Sequence, residues 1–403
     1  MSRADVALIS PYPSSNAGRS LSSGVAAYTR SLAQALADAG ASVTVIAAEE
    51  GGSRPIELDG EVRVERCFRP GPGALVAAGR AARASGASVV HLQHELFLYG
   101  GVSATPGLLA VLRPTSESRP VTVVTMHQVV DPAAVDRSFV RLHRIRVPVL
   151  AARAGISAIQ RTIQTMADAV IVHEQSFQRV ISRASAVPHG LSIVGPPGRA
   201  QARARLGLDD AFTVLCFGFI APYKGLELAC EAAELARRAG APVRFIVAGG
   251  EHPRLAGRDA YAGALRARFS STAHFTGYVP ESDVSDWFAA ADLALFLYPQ
   301  PHASSGALAL ALAHGTPFLV SPALAELIGA SGPLVAASSA PELAAQLGRL
   351  ATSRKARHQL GSAGAELAAG RTWPAVASRH LALYEEVLNA NRAPRWSLRA
   401  AEP

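Results

Sequence analysis

Residues 6–47, VALISPYPSSNAGRSLSSGVAAYTRSLAQALADAGASVTVIA, contain the pattern that decides the fold. A buried strand is predicted over 6–10, and a loop rich in Ser, Asn and Gly follows it. Helical periodicity then runs over 25–39 until Gly40 ends it, and 42–47 is the next strand. Strand, loop, helix and strand at this spacing form a βαβ unit, so we expect a parallel sheet.

The same pattern continues along the chain and then restarts. Further short strands rich in β-branched residues are predicted at 88–92, 121–125 and 169–173. After a Pro-, Gly- and Arg-rich stretch, the next strands are predicted at 213–218, 243–248, 274–276, 293–297 and 318–321, alternating with helices. A chain of 403 residues is long enough for two domains. We place them at 1–190 and 209–373, with a linker over 191–208 and a C-terminal helix and tail over 374–403.

The composition narrows the class of protein. Hydrophobic residues make up 49% and charged residues 17%, which indicates well-buried α/β cores. The net charge of +8 is almost all Arg, because Lys224 and Lys355 are the two lysines of the chain. Aromatic residues are only 6% and are not interleaved with basic tracts, so we expect no nucleic-acid partner.

The cysteines and the hydropathy bear on location. The three cysteines, Cys67, Cys216 and Cys230, have neither C-x-x-C nor zinc-site spacing, which favours reduced thiols in a cytoplasmic protein. The first apolar run is broken at Pro11 and is too short for a signal peptide. No stretch of 18 apolar residues occurs, so no membrane span is predicted.

Ligands of open parallel sheets bind beyond the carboxyl ends of the strands, so the residues that follow each strand are the candidates. Lys224 follows the strand that ends at Gly218 and precedes a helix, where backbone N–H groups favour an anion. Its ammonium is a compact charge suited to a diphosphate, and a solvated surface lysine is the alternative. Gly249 follows the next strand and permits close backbone approach; an ordinary turn is the alternative. Tyr278 and Val279 follow the strand after that, where backbone groups would read a nucleobase.

Residues 301–317, PHASSGALALALAHGTP, are the most informative segment of the second domain. Ser304 and Ser305 are N-cap candidates for an apolar helix that Gly-Thr-Pro ends. The first N–H groups, of Ser305, Gly306 and Ala307, would form a cradle for an anion. A capped core helix without a ligand is the alternative.

In the first domain, Gly24 precedes a helix and would let the backbone approach a diphosphate. The loop before it lacks G-x-G-x-x-G, and no P-loop occurs in the chain, which weakens dinucleotide and P-loop interpretations. His94 and His127 follow strands and would bond a sugar hydroxyl or accept its proton, while His91 is favoured as a structural hydrogen-bonding residue. No carboxylate cluster accompanies these histidines, so we predict no metal site.

Residues 137–161 contain six arginines and no acidic residue, with apolar residues between them. The pattern is compatible with an amphipathic basic helix that contacts an anionic lipid surface or a phosphorylated acceptor. The alternative is the solvated face of a core helix.

Together these segments resemble the large family 4 of retaining glycosyltransferases. The resemblance is carried by Ala-Ala-Tyr-Thr-Arg-Ser-Leu at 26–32, Val-Pro-His-Gly at 187–190, Tyr-Lys-Gly-Leu-Glu at 223–227, Gly-Tyr-Val-Pro at 277–280 and Gly-Thr-Pro at 315–317. It implies the GT-B fold, in which two Rossmann-like domains with parallel sheets face each other across a cleft. It also implies sugar transfer from a nucleoside-diphosphate sugar with retention and without a bound metal or other cofactor.

The resemblance further assigns roles to residues. Lys224 binds donor phosphate, and Gly24 and residues 304–307 flank the diphosphate. His127 lies near the reacting sugar, and His94 lies near donor or acceptor. The acceptor, whether glycan, lipid or small natural product, stays open, as does peripheral contact with the inner membrane face.

The sequence departs from the family at two places. Phe219 stands where the family commonly has Arg, and His302 and Leu310 stand where it has a pair of glutamates. Either His302 and the Ser-Ser-Gly turn substitute for those glutamates, or the protein is a catalytically degraded relative that binds a nucleotide sugar or a partner. A nucleotide-sugar epimerase is the third hypothesis, since the same fold hosts such enzymes.

Overall fold

The computed structural model describes residues 5–13, 24–49, 54–112, 119–143, 145–192, 195, 197–251, 260–301 and 305–392. The chain divides into two compact units. The described part of the first unit runs to Gly190 and resumes at Trp373, while the second contains Leu191–Pro301 and Ser305–Thr372. Each unit is built on its own sheet.

The first unit contains an eight-stranded sheet. Its strands are β1 (Asp5–Ile9), β2 (Ser42–Ala48), β3 (Ile56–Asp59), β4 (Val62–Phe68), β5 (Val89–His94), β6 (Val121–Met126), β7 (Ala169–Val172) and β8 (Ala184–Ala186). Its helices before residue 190 are α1 (Gly24–Asp38), α2 (Ala74–Ala84), α3 (Leu108–Leu112), α4 (Arg137–Leu142) and α5 (Val149–Met166). The strand order is β3-β4-β2-β1-β5-β6-β7-β8, and neighbouring strands run parallel except β3 and β4. Neither strand of this antiparallel pair was predicted from the sequence.

The second unit contains a five-stranded, fully parallel sheet. Its strands are β9 (Phe212–Phe217), β10 (Val243–Ala248), β11 (Ala273–Gly277), β12 (Leu293–Phe296) and β13 (Phe318–Val320), in the order β11-β10-β9-β12-β13. Its described helices are α6 (Arg199–Leu206), α7 (Leu226–Arg238), α8 (Ala260–Phe269), α9 (Glu281–Ala290), α10 (Gly306–Ala313), α11 (Pro322–Ile328), α12 (Ala340–Thr352) and α13 (Arg354–Ala368).

The final helix, α14 (Trp373–Arg392), packs in the first unit against α1. Its Val376, Ala377 and Tyr384 are buried in one core cluster with Leu32 of α1. The indole of Trp373 lies against Gly190, where an added Cβ atom would come within 2.3 Å of the ring. Glycine at 190 is therefore required for this close contact, because real Cβ atoms do not approach other atoms so closely.

The start of helix α7, just after Lys224, is determined by a glycine. Gly225, just before it, has φ +65°, and an added Cβ atom there would lie 2.1 Å from the Leu297 carbonyl oxygen. Only glycine fits both the left-handed backbone and the close approach. Glu227 in the first turn and Arg237 in the last complement the helix dipole, and one apolar face packs on the sheet.

The arginine-rich segment 137–161 is not one amphipathic helix. Helix α4 ends at Leu142, and α5 begins at Val149 after Pro148 at its N-cap position. Proline breaks the pattern because it removes a backbone donor and restricts the residue before it. No helix of the described residues is long and apolar enough to cross a membrane.

Candidate active site

The carboxyl ends of β9 and β10 meet at two glycines. An added Cβ atom at Gly249 would lie 2.0 Å from the carbonyl oxygen of Gly218, and the Gly218 amide donates to Ala248 at 3.0 Å. The sequence predicts close backbone approach at Gly249 and places Gly218 at the end of the preceding strand, and the structure brings the two together. A side chain at Gly249 would push the two loops apart, so this edge of the sheet keeps its backbone uncovered.

Lys224 lies beside this edge, in the short turn that precedes α7. Its ammonium donates to the Tyr298 hydroxyl at 2.7 Å and lies 4.6 Å from the centroid of that ring. No ion pair between described residues involves Lys224. Burial opposes the charge, but the hydroxyls of Tyr298 and Tyr223 outweigh it, so the pKa of Lys224 is raised. Lys224 is therefore a cation without a carboxylate partner in the part of the chain that the structure describes, which suits an incoming anion.

The Tyr298 hydroxyl connects Lys224 to the start of α10. It lies 2.8 Å from Ser305 Oγ, which accepts the backbone N–H of Leu308 at 3.2 Å as the N-cap of the helix. The N–H groups of Gly306 and Ala307 have no hydrogen-bond partner among the described residues. Such groups at a helix N-terminus attract anions. Ser304 and His302 lie outside the described residues.

The loop after β11 lies next to the loop after β10. Gly277 forms an antiparallel bridge with Gly249, and an added Cβ atom at Gly250 would lie 3.4 Å from the Tyr278 nitrogen. Tyr278 is 59% exposed and Val279 is half-buried. The predicted residues Gly218, Gly249 and Tyr278 therefore share one edge of the second sheet.

Phe219 lines the same small cavity as Lys224 and Tyr298. It stands where the family resemblance leads us to expect arginine, so that position supplies an apolar ring and no second cation. The thiol of Cys216 also lines this cavity, and burial raises its pKa. Cys216 and Cys230 are buried and Cys67 is half-buried, and all three are free thiols.

In the first unit, histidines follow adjacent strands. His94 ends β5 and His127 follows β6, and the His127 amide donates to the His94 carbonyl at 2.9 Å. The ring of His127 is buried and has partners at both nitrogens. Its Nε2 lies 2.8 Å from the side-chain oxygen Oε1 of Gln93, and its Nδ1 lies 3.1 Å from Nε2 of His173. A substrate contact through His127 would therefore exchange one of these two hydrogen bonds.

His94 differs from His127 in having a ring nitrogen without a hydrogen-bond partner among the described residues. This nitrogen, Nδ1, is buried. Burial lowers the pKa of His94 to about 4, so the ring is neutral at neutral pH. Because a buried polar atom without a partner costs free energy, this nitrogen is available for a ligand hydrogen bond.

His91 has the structural role that the sequence favours. Its Nδ1 lies 2.6 Å from the Tyr384 hydroxyl, and its Nε2 lies 2.7 Å from Thr125 Oγ1. These bonds connect α14 to the centre of the first sheet. Gly24 opens α1 with no described atom within 4 Å of an added Cβ atom, so its contact with a diphosphate stays a prediction.

Comparison with known proteins decides the family. Residues 211–353 match the family model described as "Glycosyl transferases group 1", and residues 23–198 match the one described as "Glycosyl transferase 4-like domain". The two ranges together span most of the chain. The chain is a glycosyltransferase of the GT-B fold. The sequence matches none of the curated proteins with which it was compared.

Solved structures agree with this glycosyltransferase fold. Sucrose-phosphate synthase from Thermosynechococcus elongatus is similar with a TM-score of 0.74 and 21% identity, over 96% of this chain and 100% of that one. HepE from Anabaena in complex with UDP-glucose is similar with a TM-score of 0.65 and 16% identity, over 96% and 99%. α,α-Trehalose 6-phosphate synthase from Burkholderia multivorans gives 0.64 and 13%, over 99% and 100%. At these identities the likeness concerns the fold.

Several residues that contact the candidate residues in each unit were not predicted from the sequence. Tyr298 and His173 each follow a strand, so the rule that selected Lys224 and His127 applied to them as well. Gln93 and Tyr28 gave no such signal. Tyr28 packs among four rings, whose centroids lie 4.8–5.2 Å from its own: those of His127, His173, His189 and Trp373. Its hydroxyl is buried without a hydrogen-bond partner among the described residues.

The described residues contain no group of three or more His, Cys, Asp or Glu side chains that could hold a metal ion.

Proposed function

We propose that this glycosyltransferase moves a sugar from a nucleoside-diphosphate sugar to an acceptor hydroxyl, with retention of the anomeric configuration. The observation that carries the proposal is the position of Lys224, a cation without a carboxylate partner among the described residues, beside the helix start at Ser305. One protein of similar fold, HepE, is described in complex with UDP-glucose, which supports a nucleotide-sugar donor here.

The chemistry explains why these groups suit the donor. Breaking the bond between the sugar and the diphosphate leaves negative charge on the leaving phosphate. A fixed ammonium and unpaired N–H groups at a helix N-terminus stabilise charge as it develops in the transition state. Because Lys224 and the N–H groups of Gly306 and Ala307 already carry partial or full positive charge, the proposal needs no resident metal for this step. Activity that survives a chelator would support that part of it.

The first unit supplies the acceptor side in this proposal. His94, with its free Nδ1, donates to or accepts from a sugar hydroxyl, and His127 keeps the neighbouring polar network in place. Both rings are buried and their pKa values are lowered, so each acts as a neutral hydrogen-bonding group near neutral pH. The acceptor is a hydroxyl of a glycan, a lipid or a small natural product.

The absence of the family's two glutamates at positions 302 and 310 leads to different expected results for the three candidate functions. Leu310 is half-buried in α10 and offers no carboxylate to the donor. An active enzyme therefore reads the donor sugar and ribose with other groups, while a degraded relative binds the nucleotide sugar without turnover. An epimerase converts the donor with no acceptor present.

One experiment separates these outcomes. Nucleotide sugars are screened by thermal shift, and the best binder is incubated with pooled hydroxyl acceptors, with and without a chelator. Transfer to an acceptor, with a product anomer matching the donor by NMR, supports the proposal. Tight binding without transfer or hydrolysis contradicts it, and so does epimerisation in the absence of acceptor.

We also propose that the protein works at the inner face of the membrane, in peripheral contact with anionic lipid. The support is an open groove of about 800 Å³ in the first unit. Arg137, Arg141 and Arg146 line it, and all three are exposed without a hydrogen bond or ion pair to any described residue. Val147 and Leu150 at the same groove are 47% and 76% exposed. Exposed apolar side chains ringed by unpaired arginines suit a bilayer with anionic headgroups.

Other arginines of the segment have structural roles. Arg153 donates to the Val135 carbonyl at 2.8 Å and to the Ala133 carbonyl at 3.4 Å, so it holds the loop before α4 against α5. The proposed lipid contact therefore rests on α4, the turn after it and the start of α5.

A further inference from the structure

Tyr298 is a buried hydroxyl between the two donor-side groups of the second unit. Its side chain follows β12, and its residue is 6% exposed. The oxygen lies 2.7 Å from Lys224 Nζ and 2.8 Å from Ser305 Oγ. Its own carbonyl accepts the Ser321 hydroxyl, which fixes the backbone at this point. The phenol is therefore held in place from several directions and connects residues 81 positions apart in sequence.

The donor fixes the direction of one of these hydrogen bonds. An ammonium cannot accept a hydrogen bond, so Lys224 must donate to the Tyr298 oxygen. Between the hydroxyls of Tyr298 and Ser305 either oxygen can be the donor. Donation by Tyr298 uses its one hydrogen, for which Ser305 Oγ is the acceptor among the described residues. Ser305 Oγ also accepts the Leu308 N–H, so in this arrangement both its lone pairs are occupied and its own hydrogen has no acceptor left within the network.

The arrangement leaves a set of unused donors. Lys224 keeps two N–H bonds, Ser305 keeps its O–H, and Gly306 and Ala307 keep their backbone N–H groups. Gly306 is exposed and Lys224, Ser305 and Ala307 are half-buried, so these donors are accessible, and an anion with several oxygens would accept from them together. Without the Tyr298 hydroxyl, nothing in this network would fix where the lysine ammonium lies or which way the serine hydrogen points.

We propose that Tyr298 is a positioning residue, which aims the Lys224 ammonium and the Ser305 hydroxyl hydrogen at one diphosphate. This inference rests on the proposed function, since it assumes that a diphosphate binds at this edge. The inference goes beyond the proposed function because it assigns a role to Tyr298, which does not itself need to touch the substrate. The positioning compensates for the apolar Phe219, which supplies no second cation to the same cavity.

The test uses the full chain, four single variants (Tyr298→Phe, Ser305→Ala, Lys224→Ala and the control Tyr261→Phe) and the double variant Tyr298→Phe with Ser305→Ala. Tyr261 is a matched control because its hydroxyl donates to Glu227 at 2.7 Å in the same unit. Tyr261→Phe therefore also removes one partly buried hydrogen bond of a tyrosine hydroxyl. Calorimetry measures binding of UDP, UMP and inorganic pyrophosphate to each protein.

We expect Tyr298→Phe to weaken UDP and pyrophosphate binding about tenfold, because hydrogen bonds to charged groups are worth about that much in affinity. UMP, which lacks the second phosphate, should lose less than half of its affinity. Tyr261→Phe should bind all three as the unchanged protein does. The double variant Tyr298→Phe with Ser305→Ala should lose less than the product of the two single losses, because Tyr298 acts partly through Ser305.

Two results would overturn the inference. One is that Tyr298→Phe binds UDP and pyrophosphate as tightly as the unchanged protein does; the other is that the affinity losses of the two single variants multiply in the double variant.

If Tyr298→Phe does not fold, Ser305→Ala decides, with Ser353→Ala as its control. Ser353 is the N-cap of α13 and accepts a backbone N–H at 3.2 Å, as Ser305 does. Weaker diphosphate binding in Ser305→Ala but not in Ser353→Ala supports the inference, and equal binding refutes it. If Lys224→Ala also binds UDP normally, the donor site itself is wrong, which distinguishes failure of the function from failure of the role of Tyr298.

Discussion

Nε2 of His173 lies 3.1 Å from Nδ1 of His127, and the other nitrogen of His173 faces the Val187 carbonyl oxygen at 3.1 Å. A carbonyl only accepts, so Nδ1 of His173 carries its hydrogen, and a neutral His173 must accept from His127. In the structure the oxygen Oε1 of Gln93 lies 2.8 Å from Nε2 of His127, and the nitrogen Nε2 of Gln93 lies 3.2 Å from Nε2 of His91. An oxygen only accepts, so with this placement both nitrogens of His127 would carry a hydrogen. Because burial lowers the pKa of His127, a neutral ring is favoured, and it requires the Gln93 amide to be turned by 180° from this placement.

This proton count makes Gln93 a sensitive position. A carboxylate in Gln93→Glu would lie beside both His91 and His127 and would favour their charged forms. We expect kcat/KM at neutral pH to fall at least about tenfold, with recovery toward alkaline pH as His127 loses its added proton. The measurement is a pH profile of kcat/KM for both proteins. His358→Ala, on the exposed face of α13, is the control. A profile unchanged by Gln93→Glu would remove this network from the reaction.

The donor cation gives the second prediction. Lys224→Ala should lower kcat by at least about tenfold, because a charged contact with the leaving group should be worth more than about 1.4 kcal/mol in the transition state. The chain provides its own control in Lys355, its other lysine, which is exposed on α13. Lys355→Ala should be fully active. Steady-state rates with the donor found by screening check both, and an active Lys224→Ala would refute the site.

The buried histidines also predict how stability depends on pH. Burial lowers the pKa of His94 and of His380 to about 4, below the ordinary value of about 6.5 that applies in the unfolded chain. The unfolded chain therefore binds more protons than the folded one between these values. Stability is complete above about pH 6.5 and falls as the pH drops toward 4, by up to about 3 kcal/mol for each ring.

Urea unfolding at several pH values measures this effect. His380→Leu is the informative variant, because it removes one buried ring whose Nε2 has no partner among the described residues. Its free energy of unfolding should fall less steeply with decreasing pH than that of the unchanged protein. Equal slopes would mean that His380 does not contribute to the acid sensitivity.

The sequence predicted local backbone geometry well at positions where only a few residue types can adopt that geometry. Glycines at strand ends, a rare lysine before a helix and a serine at a helix start each imply a local backbone geometry, which the structure shows at Gly218, Lys224 and Ser305, while their contact with a donor stays a prediction. The antiparallel pair β3 and β4 was missed: β3 is four residues long and buries no face, while β4 does alternate between buried and more exposed residues, a signal that the sequence analysis did not use. Gln93 was missed because its partner His127 lies 34 positions away, and only the folded chain shows which distant polar groups meet. Tyr298 follows a strand and could have been selected on that ground, but its contact with Lys224, 74 positions away, is visible only in the folded chain.

The arginine-rich groove gives the last prediction. The protein should sediment with vesicles of equal parts phosphatidylglycerol and phosphatidylcholine, and not with phosphatidylcholine alone. Each of Arg141→Gln and Arg146→Gln should weaken binding about fivefold, since one basic residue near an anionic surface contributes about 1 kcal/mol. High salt should have the same effect. Leu150→Gln should weaken binding through lost apolar contact. Leu58, 75% exposed against 76% for Leu150, is the matched control, because it lies on β3 away from the groove residues. If Leu58→Gln reduces sedimentation as much as Leu150→Gln, or if neutral vesicles bind equally well, the groove is not the lipid-binding surface.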